Sequence, residues 1–273
     1  MFQERKPQTR TGSALSILEL IFHNTVRQVR KSHASAVFAI LLSILQTVIL
    51  VLSFYLLFVV LGMRGSAIRG DFLLYIMSGI FLFLTHTKTV GAVYGSEGPA
   101  SAMMNHAPMT TAVTITSAAL STLYVQSLSL FCVLYVYHVG WGPIHIHYWP
   151  GAYAMVLLAW VSGIGVGLCF LALKPWIPDI AGNLQMIYNR ASMIASGKMF
   201  VANALPGYMV AWFDWNPLFH SIDQARGYVF INYFPHNSNI TYPLTVSAVL
   251  ITIGLMGEFY TRQNASISWS ARR

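Results

Sequence analysis

Apolar runs of bilayer length alternate along this chain with short polar stretches. A helix needs about 20 apolar residues to cross about 30 Å of hydrocarbon. Residues 36–62 meet that requirement with no charge among them, and 72–90 follow with only Lys88 near the end, where its stem can carry the amine toward the headgroups. Residues 110–139 and 152–173 make a third and fourth run, and 243–261 a sixth, with Glu258 in its last turn. The fifth, 177–205, is the least apolar, since it contains Asn183, Arg190 and Lys198. As a helix it places those three within about 80° of one face. Charges at membrane depth normally face a bundle interior or a water-filled pathway. Arg190 is therefore expected deep, as a pathway residue or a structural pair, and Lys198 within reach of the outer interface. The expected fold class is all-α integral membrane, with six transmembrane helices.

Three segments outside these runs carry their own patterns. In 13–31, Leu15, Leu18, Phe22, Val26 and Val29 fall within about 80° of one another at helical spacing, while His23, Arg27 and Lys31 occupy another face. This is a basic amphipathic helix of the kind that lies in the interface, either as an anchor or as a lever touching a cytoplasmic partner. The connection 91–109 is too rich in glycine and proline for one straight helix. A short helix from Ser101 to His106, preceded by Glu97, would protrude there. The connection 206–242 carries Trp212, Phe213, Trp215, Phe219, Tyr228, Phe230 and Tyr233. Its apolar stretches are too short to span, which predicts two short re-entrant or interfacial helices between spans five and six. The break falls at Asn216-Pro217, an asparagine cap followed by proline at the first helical position.

Composition agrees with a membrane chain. Hydrophobic residues make up 56% and charged residues 9%, against about 25% charged in soluble domains. Basic residues collect on cytoplasmic flanks. With the N-terminus inside, that side receives eleven: Arg5, Lys6, Arg10, Arg27, Arg30, Lys31, Lys88, Lys174, Arg262, Arg272 and Arg273. The outside receives three, Arg64, Arg69 and Arg226. Both termini are thus expected in the cytoplasm, and the net charge of +8 reads as topology and lipid contact rather than nucleic-acid binding. The basic N-terminus leads into an amphipathic segment, so no cleavable signal peptide is expected. The domains follow: a cytoplasmic N-terminus with the interface helix (1–35), one membrane domain (36–261) and a cytoplasmic tail (262–273).

Chemistry-bearing motifs are sparse. There is no G-x-x-x-x-G-K-[ST] phosphate loop, so nucleotide hydrolysis is not expected of this chain. No G-x-S-x-G elbow, H-E-x-x-H helix or paired carboxylate is present, so no catalytic residue is assigned. His138, His145 and His147 cluster with Trp141 and Trp149 without a nearby cysteine or carboxylate, and no metal site is assigned. Cys132 and Cys169 lie inside spans as small apolar packing residues. What remains is a cationic, aromatic-flanked fifth span. Cations attract carboxylates and phosphates, and aromatic faces stack on sugar rings.

The stretch R-A-S-M-I-A-S-G-K-M-F-V-A-N-A-L-P (190–206), followed by W-N-P-L-F-H-S-I-D-Q-A-R-G-Y (215–228), resembles the membrane permeases of type-2 ABC exporters. The similarity is to the branch exporting capsular polysaccharide, O-antigen and related polymers across the bacterial inner membrane. M-M-N-H-A-P-M-T-T-A-V-T (103–114) resembles that family's Asn-x-x-x-Pro stretch entering the third span. These motifs cover about a fifth of the chain, and the Asn-Pro…Arg element is shared with drug- and lipid-exporting relatives. Two departures stand out: Lys198 replaces the usual apolar residue after Ser-Gly, and Ser121 and Thr122 stand near the place of an acid often found early in the third span.

The resemblance implies a homodimer working with two copies of a separate cytoplasmic ATPase, which would hold the ATP and magnesium; no cofactor is implied in this chain. Phe22 and Arg27 of the interface helix, with Glu97, Ser101, Met104, Asn105 and His106 of the first cytoplasmic connection, would contact that ATPase. Tyr188, Arg190, Lys198, Trp212, Phe213, Trp215, His220 and Arg226 would line the substrate pathway, with residues 212–233 forming its outer gate. The passenger would be a lipid-linked polysaccharide, handed on to periplasmic or outer-membrane export proteins, with no nucleic acid involved. Three rivals stand beside this reading. They are a drug or lipid exporter of the same fold, a membrane enzyme acting on lipid-linked sugars, and a purely structural subunit.

Overall fold

The computed structural model describes residues 10–31, 36–62, 68, 70–96 and 110–264. Among these the chain is all-helical: α1 (Arg10–Lys31), α2 (Ala36–Val60), α3 (Phe72–Tyr94), α4 (Thr111–Gly140), α5 (Trp149–Leu173), α6 (Pro178–Ala195), α7 (Gly207–Val210), α8 (Pro217–Val229) and α9 (Thr241–Asn264), with a 3-10 turn at Ala202–Ala204. Five of them, α2, α3, α4, α5 and α9, are long and apolar enough to cross a membrane. They correspond to five of the six expected spans and mark the chain as a membrane protein. Glu97, Ser101, Met104, Asn105 and His106 lie outside the described residues.

Helix starts follow local chemistry. The Asp71 carboxylate accepts from the amides of Leu73 (2.9 Å) and Leu74 (3.4 Å) at the head of α3, and the Thr110 hydroxyl accepts from the Val113 amide at the head of α4. Proline stands in the first turn of α5, α6 and α8, where its missing N–H costs nothing. α5 is the central helix, packed against α3, α8 and α9. Small residues permit the approach: a Cβ on Gly163 would lie 2.8 Å from the His86 carbonyl oxygen, one on Gly167 2.8 Å from Val93, and one on Gly254 2.5 Å from Leu168. Close backbone contact of this kind stands in for the hydrophobic drive that lipid removes.

The connections α2–α3 and α4–α5 sit at one end of the bundle, where the Tyr137 hydroxyl donates to Asp71. α8 joins them there, because the amides of His147 and Tyr148 donate to the Val229 and Tyr228 carbonyls at 3.1 and 2.9 Å. α1 lies at the other end, with the Ser117 hydroxyl of α4 donating to the Ile21 carbonyl. The last turns of α9 are at that same end, tied to the α5–α6 connection by Trp176 Nε1 donating to Thr261 Oγ1 (3.0 Å). On α1, Leu15, Leu18, Phe22 and Val26 are exposed while Asn24 is buried. The apolar stripe therefore faces away from the bundle, His23 and Arg27 are exposed as well, and the side bearing buried Asn24 packs on α4.

α6 departs from expectation. The helix expected over 177–205 stops at Ala195, and at 18 residues it is about 27 Å long. It is not among the helices long and apolar enough to cross by themselves. The stop has a local cause: the Ser196 amide closes the last turn onto the Ser192 carbonyl, and Gly197 then takes φ +73°, the left-handed conformation that ends helices.

Candidate functional site

Residues 196–201, between α6 and the 3-10 turn, are non-helical and largely buried: Ser196 and Gly197 are covered and Lys198 is 3% exposed. Away from water such a segment has to satisfy its carbonyls internally. Arg226 of α8 does this. Its Nη1 donates to the Gly197 (2.9 Å) and Phe200 (2.6 Å) carbonyls, and Nη2 to that of Lys198 (2.9 Å). The guanidinium lies 4.4 Å from the Tyr75 ring centroid, within cation–π range. Asn216 completes the clamp: its carbonyl oxygen caps α8 through the Leu218 amide (3.0 Å), and its amide nitrogen donates to the Ala195 carbonyl at the end of α6 (3.1 Å). The expected cap and break at Asn216-Pro217 are both present. Arg226, counted among the outer basic residues, is 1% exposed and spends both terminal nitrogens on this turn, while its Nε has no hydrogen-bond partner among the described residues.

Lys198 does not reach an interface. α3 has glycine at position 79, where a Cβ would lie 2.9 Å from the Lys198 backbone, so the turn sits directly on α3 and the amine is carried inward. Nζ lies 3.5 Å from the Phe83 ring centroid and 4.8 Å from that of Phe54, without a hydrogen-bond partner among the described residues. Lys198 therefore shares no helical face with Arg190, because Gly197 breaks the helix between them. Cation–π contact contributes about 0.5–2 kcal/mol, less than the several kcal/mol that burying an unpaired ammonium costs. Lys198→Met is accordingly expected to leave the melting temperature in detergent unchanged or raised, and a clear fall would show that the amine makes an essential contact.

A second polar cluster lies where α8 meets the loop before α9. His220 Nδ1 accepts from the Asn239 amide (3.2 Å), so its proton resides on Nε2, which donates to the Asp214 carbonyl (2.8 Å). Nε2 also lies 3.0 Å from the Asp214 carboxylate. The buried Asp223 carboxylate accepts from the Tyr233 hydroxyl and from Ser238 Oγ (2.7 Å). Burial and the Asp223 charge push the Tyr233 hydroxyl well above the usual phenol range, so it remains a donor at physiological pH. These contacts fasten the loop to α8. Of the aromatic residues expected at the gate, Phe219, Phe230 and Tyr233 are buried in the bundle. Trp212 and Trp215 are exposed, and half-buried Phe213 packs on Phe200 with ring centroids 4.9 Å apart.

α6 itself has two sides. Tyr188 faces inward, and its hydroxyl donates to His86 Nε2 at 2.8 Å. Nδ1 of that ring contacts the Ala159 carbonyl (3.2 Å) and Ser162 Oγ (2.8 Å); a carbonyl only accepts, so the proton sits on Nδ1. This relay joins α3, α5 and α6, and His86 was not foreseen. The T-H-T-K-T run at 85–89, polar within an apolar span, was the available signal. On the other side Asn183, Ile187, Arg190 and Ile194 form one exposed stripe. Phe22 and Arg27 are likewise exposed on α1, at the far end from Trp212 and Trp215. No group of three metal-ligating side chains occurs among the described residues. No protein-family model matches the chain, and no curated protein matches it.

Proposed function

We propose that this chain is the permease subunit of an ATP-driven exporter, moving a lipid-linked polysaccharide of capsular or O-antigen type across the bacterial inner membrane. In this reading α6 is the fifth of six crossings, and α7 and α8 dip into the bilayer from the outer side. Two copies pair along α6 around the pathway, and two separate ATPase subunits drive them through α1 and the 91–109 connection. Both termini face the cytoplasm.

The observation that carries the reading is the uncovered face of α6. Asn183 and Arg190 stand exposed beside Ile187 and Ile194 on the flank of an apolar helix bundle. An arginine facing acyl chains costs about 2.5 kcal/mol or more. A second copy and a wet corridor remove that cost and supply a cation for an anionic polymer. The exposed indoles of Trp212 and Trp215 suit sugar rings at the exit. The ring-stacked lysine and the carbonyl-bound Arg226 act within this reading as supports that hold the exit segment in place.

Arg190→Ala tests it. The side chain is exposed, so the variant is expected to reach the membrane at wild-type level. In a deletion strain it should fail to restore surface polymer, leaving glycan inside the cell. Full restoration of surface polymer by Arg190→Ala would remove the pathway role.

A further inference from the structure

At the end of the bundle where α1 lies, α1 to α4 part around a cavity of about 450 Å3. Its wall is polar for a space between membrane helices. Gln28 comes from α1, Ser43 and Gln46 from α2, Lys88 from α3, and Thr122 and Gln126 from α4. Lys88 Nζ donates to Gln46 Oε1 at 2.8 Å, which leaves two ammonium N–H groups and the Gln46 amide protons for a ligand. Gln126 Nε2 and Ser129 Oγ both donate to Ser43 Oγ, at 3.3 and 3.2 Å. None of the described lining residues is acidic. Lys88 stands six residues before the end of α3 at Tyr94, about 9 Å in from the helix end. A cation at that depth without an acid beside it attracts an anion.

Farther along α2 and α4, past the Ser43–Ser129 hydrogen bond, lies a second cavity of about 460 Å3, walled mostly by apolar residues such as Val48, Val51, Leu52, Val133 and Val136, with Asp71 and Tyr137 also in its lining. A polar, cationic mouth followed by an apolar shaft matches an amphiphile rather than a soluble ion. We propose that this crevice binds an anionic phospholipid, its phosphodiester held by Lys88 and the surrounding amides and an acyl chain lying along α2 and α4. The Ser121 and Thr122 hydroxyls donate to the Ala118 carbonyl of their own helix, and so present oxygens, not protons, to the ligand's polar rim. The site does not depend on the export reading, since it is assayed on this chain without any ATPase.

The test is native mass spectrometry of the purified chain mixed with phosphatidylglycerol or phosphatidylcholine. Wild type is expected to retain phosphatidylglycerol preferentially. Lys88→Gln should weaken retention about fivefold, the worth of one lysine at a lipid surface. Ser121→Leu, which fills the cavity and leaves the lysine, should weaken it as well. Equal retention by wild type and either variant would overturn the site. Displacement of the lipid by millimolar inorganic phosphate would overturn the lipid assignment. Glu97, two positions beyond the cavity-lining Gly95, supplies the remaining control. Preferential retention appearing only in Glu97→Gln would mean that Lys88 is neutralised within the chain, and would equally overturn the proposal.

Discussion

Arg226→Met is expected to destabilise the chain by about 3–5 kcal/mol, because buried carbonyls lose a charged donor. The Lys198 and Phe200 carbonyls lose their donors at once, and that of Gly197 keeps only the Phe200 amide at 3.4 Å; each buried orphan costs about 1–3 kcal/mol. Arg226→Lys should recover only part of the loss, since a single ammonium cannot reproduce the planar fork. Thermal unfolding in detergent, followed by loss of the monodisperse peak, reads the effect. A wild-type melting point for Arg226→Met would mean that the turn holds itself together.

Gly197→Ala attacks the same turn from the backbone and should cost about 2–5 kcal/mol. Two causes add: a left-handed conformation costs a side-chain-bearing residue about 1–2 kcal/mol, and overpacking costs about 1–3. The new Cβ would lie 2.7 Å from Phe219 Cδ2. Gly62 supplies the control, with nearly the same backbone angle, φ +71°, but nothing within 4 Å. Gly62→Ala should show the conformational cost alone, and equal shifts for the two variants would contradict the packing argument. Because Gly197 and Arg226 serve one turn, the double variant should lose less than the sum of the singles.

The two variants also mark the limit of what hydropathy could tell. Runs at 36–62, 72–90, 110–139, 152–173 and 243–261 translate into long helices because twenty apolar residues in a row leave the backbone no other solution in lipid. Asn216-Pro217 was legible for a local reason, a side-chain cap beside a residue with no amide proton to lose. The end of α6 was harder. Helical periodicity carried Asn183, Arg190 and Lys198 onto one face, but a single left-handed residue at Gly197 rotates everything after it. Ser-Gly after a periodic segment was the stop signal. Arg226 could not be placed from sequence at all, because its partners are backbone carbonyls some 26 to 29 positions away that carry no side-chain signature. The same holds for α1: the amphipathic pattern identified its apolar stripe, but only the packing on α4 shows that the stripe faces outward.

The proposed topology requires a bundle with two unlike ends, α1 at one and the exposed tryptophans of the α7–α8 segment at the other. Single cysteines at Arg27 and Trp215, in the chain expressed in intact cells, test this with a membrane-impermeant maleimide. Trp215→Cys is expected to label from outside, and Arg27→Cys only after the membrane is opened. Labelling of both positions from the same side would contradict it.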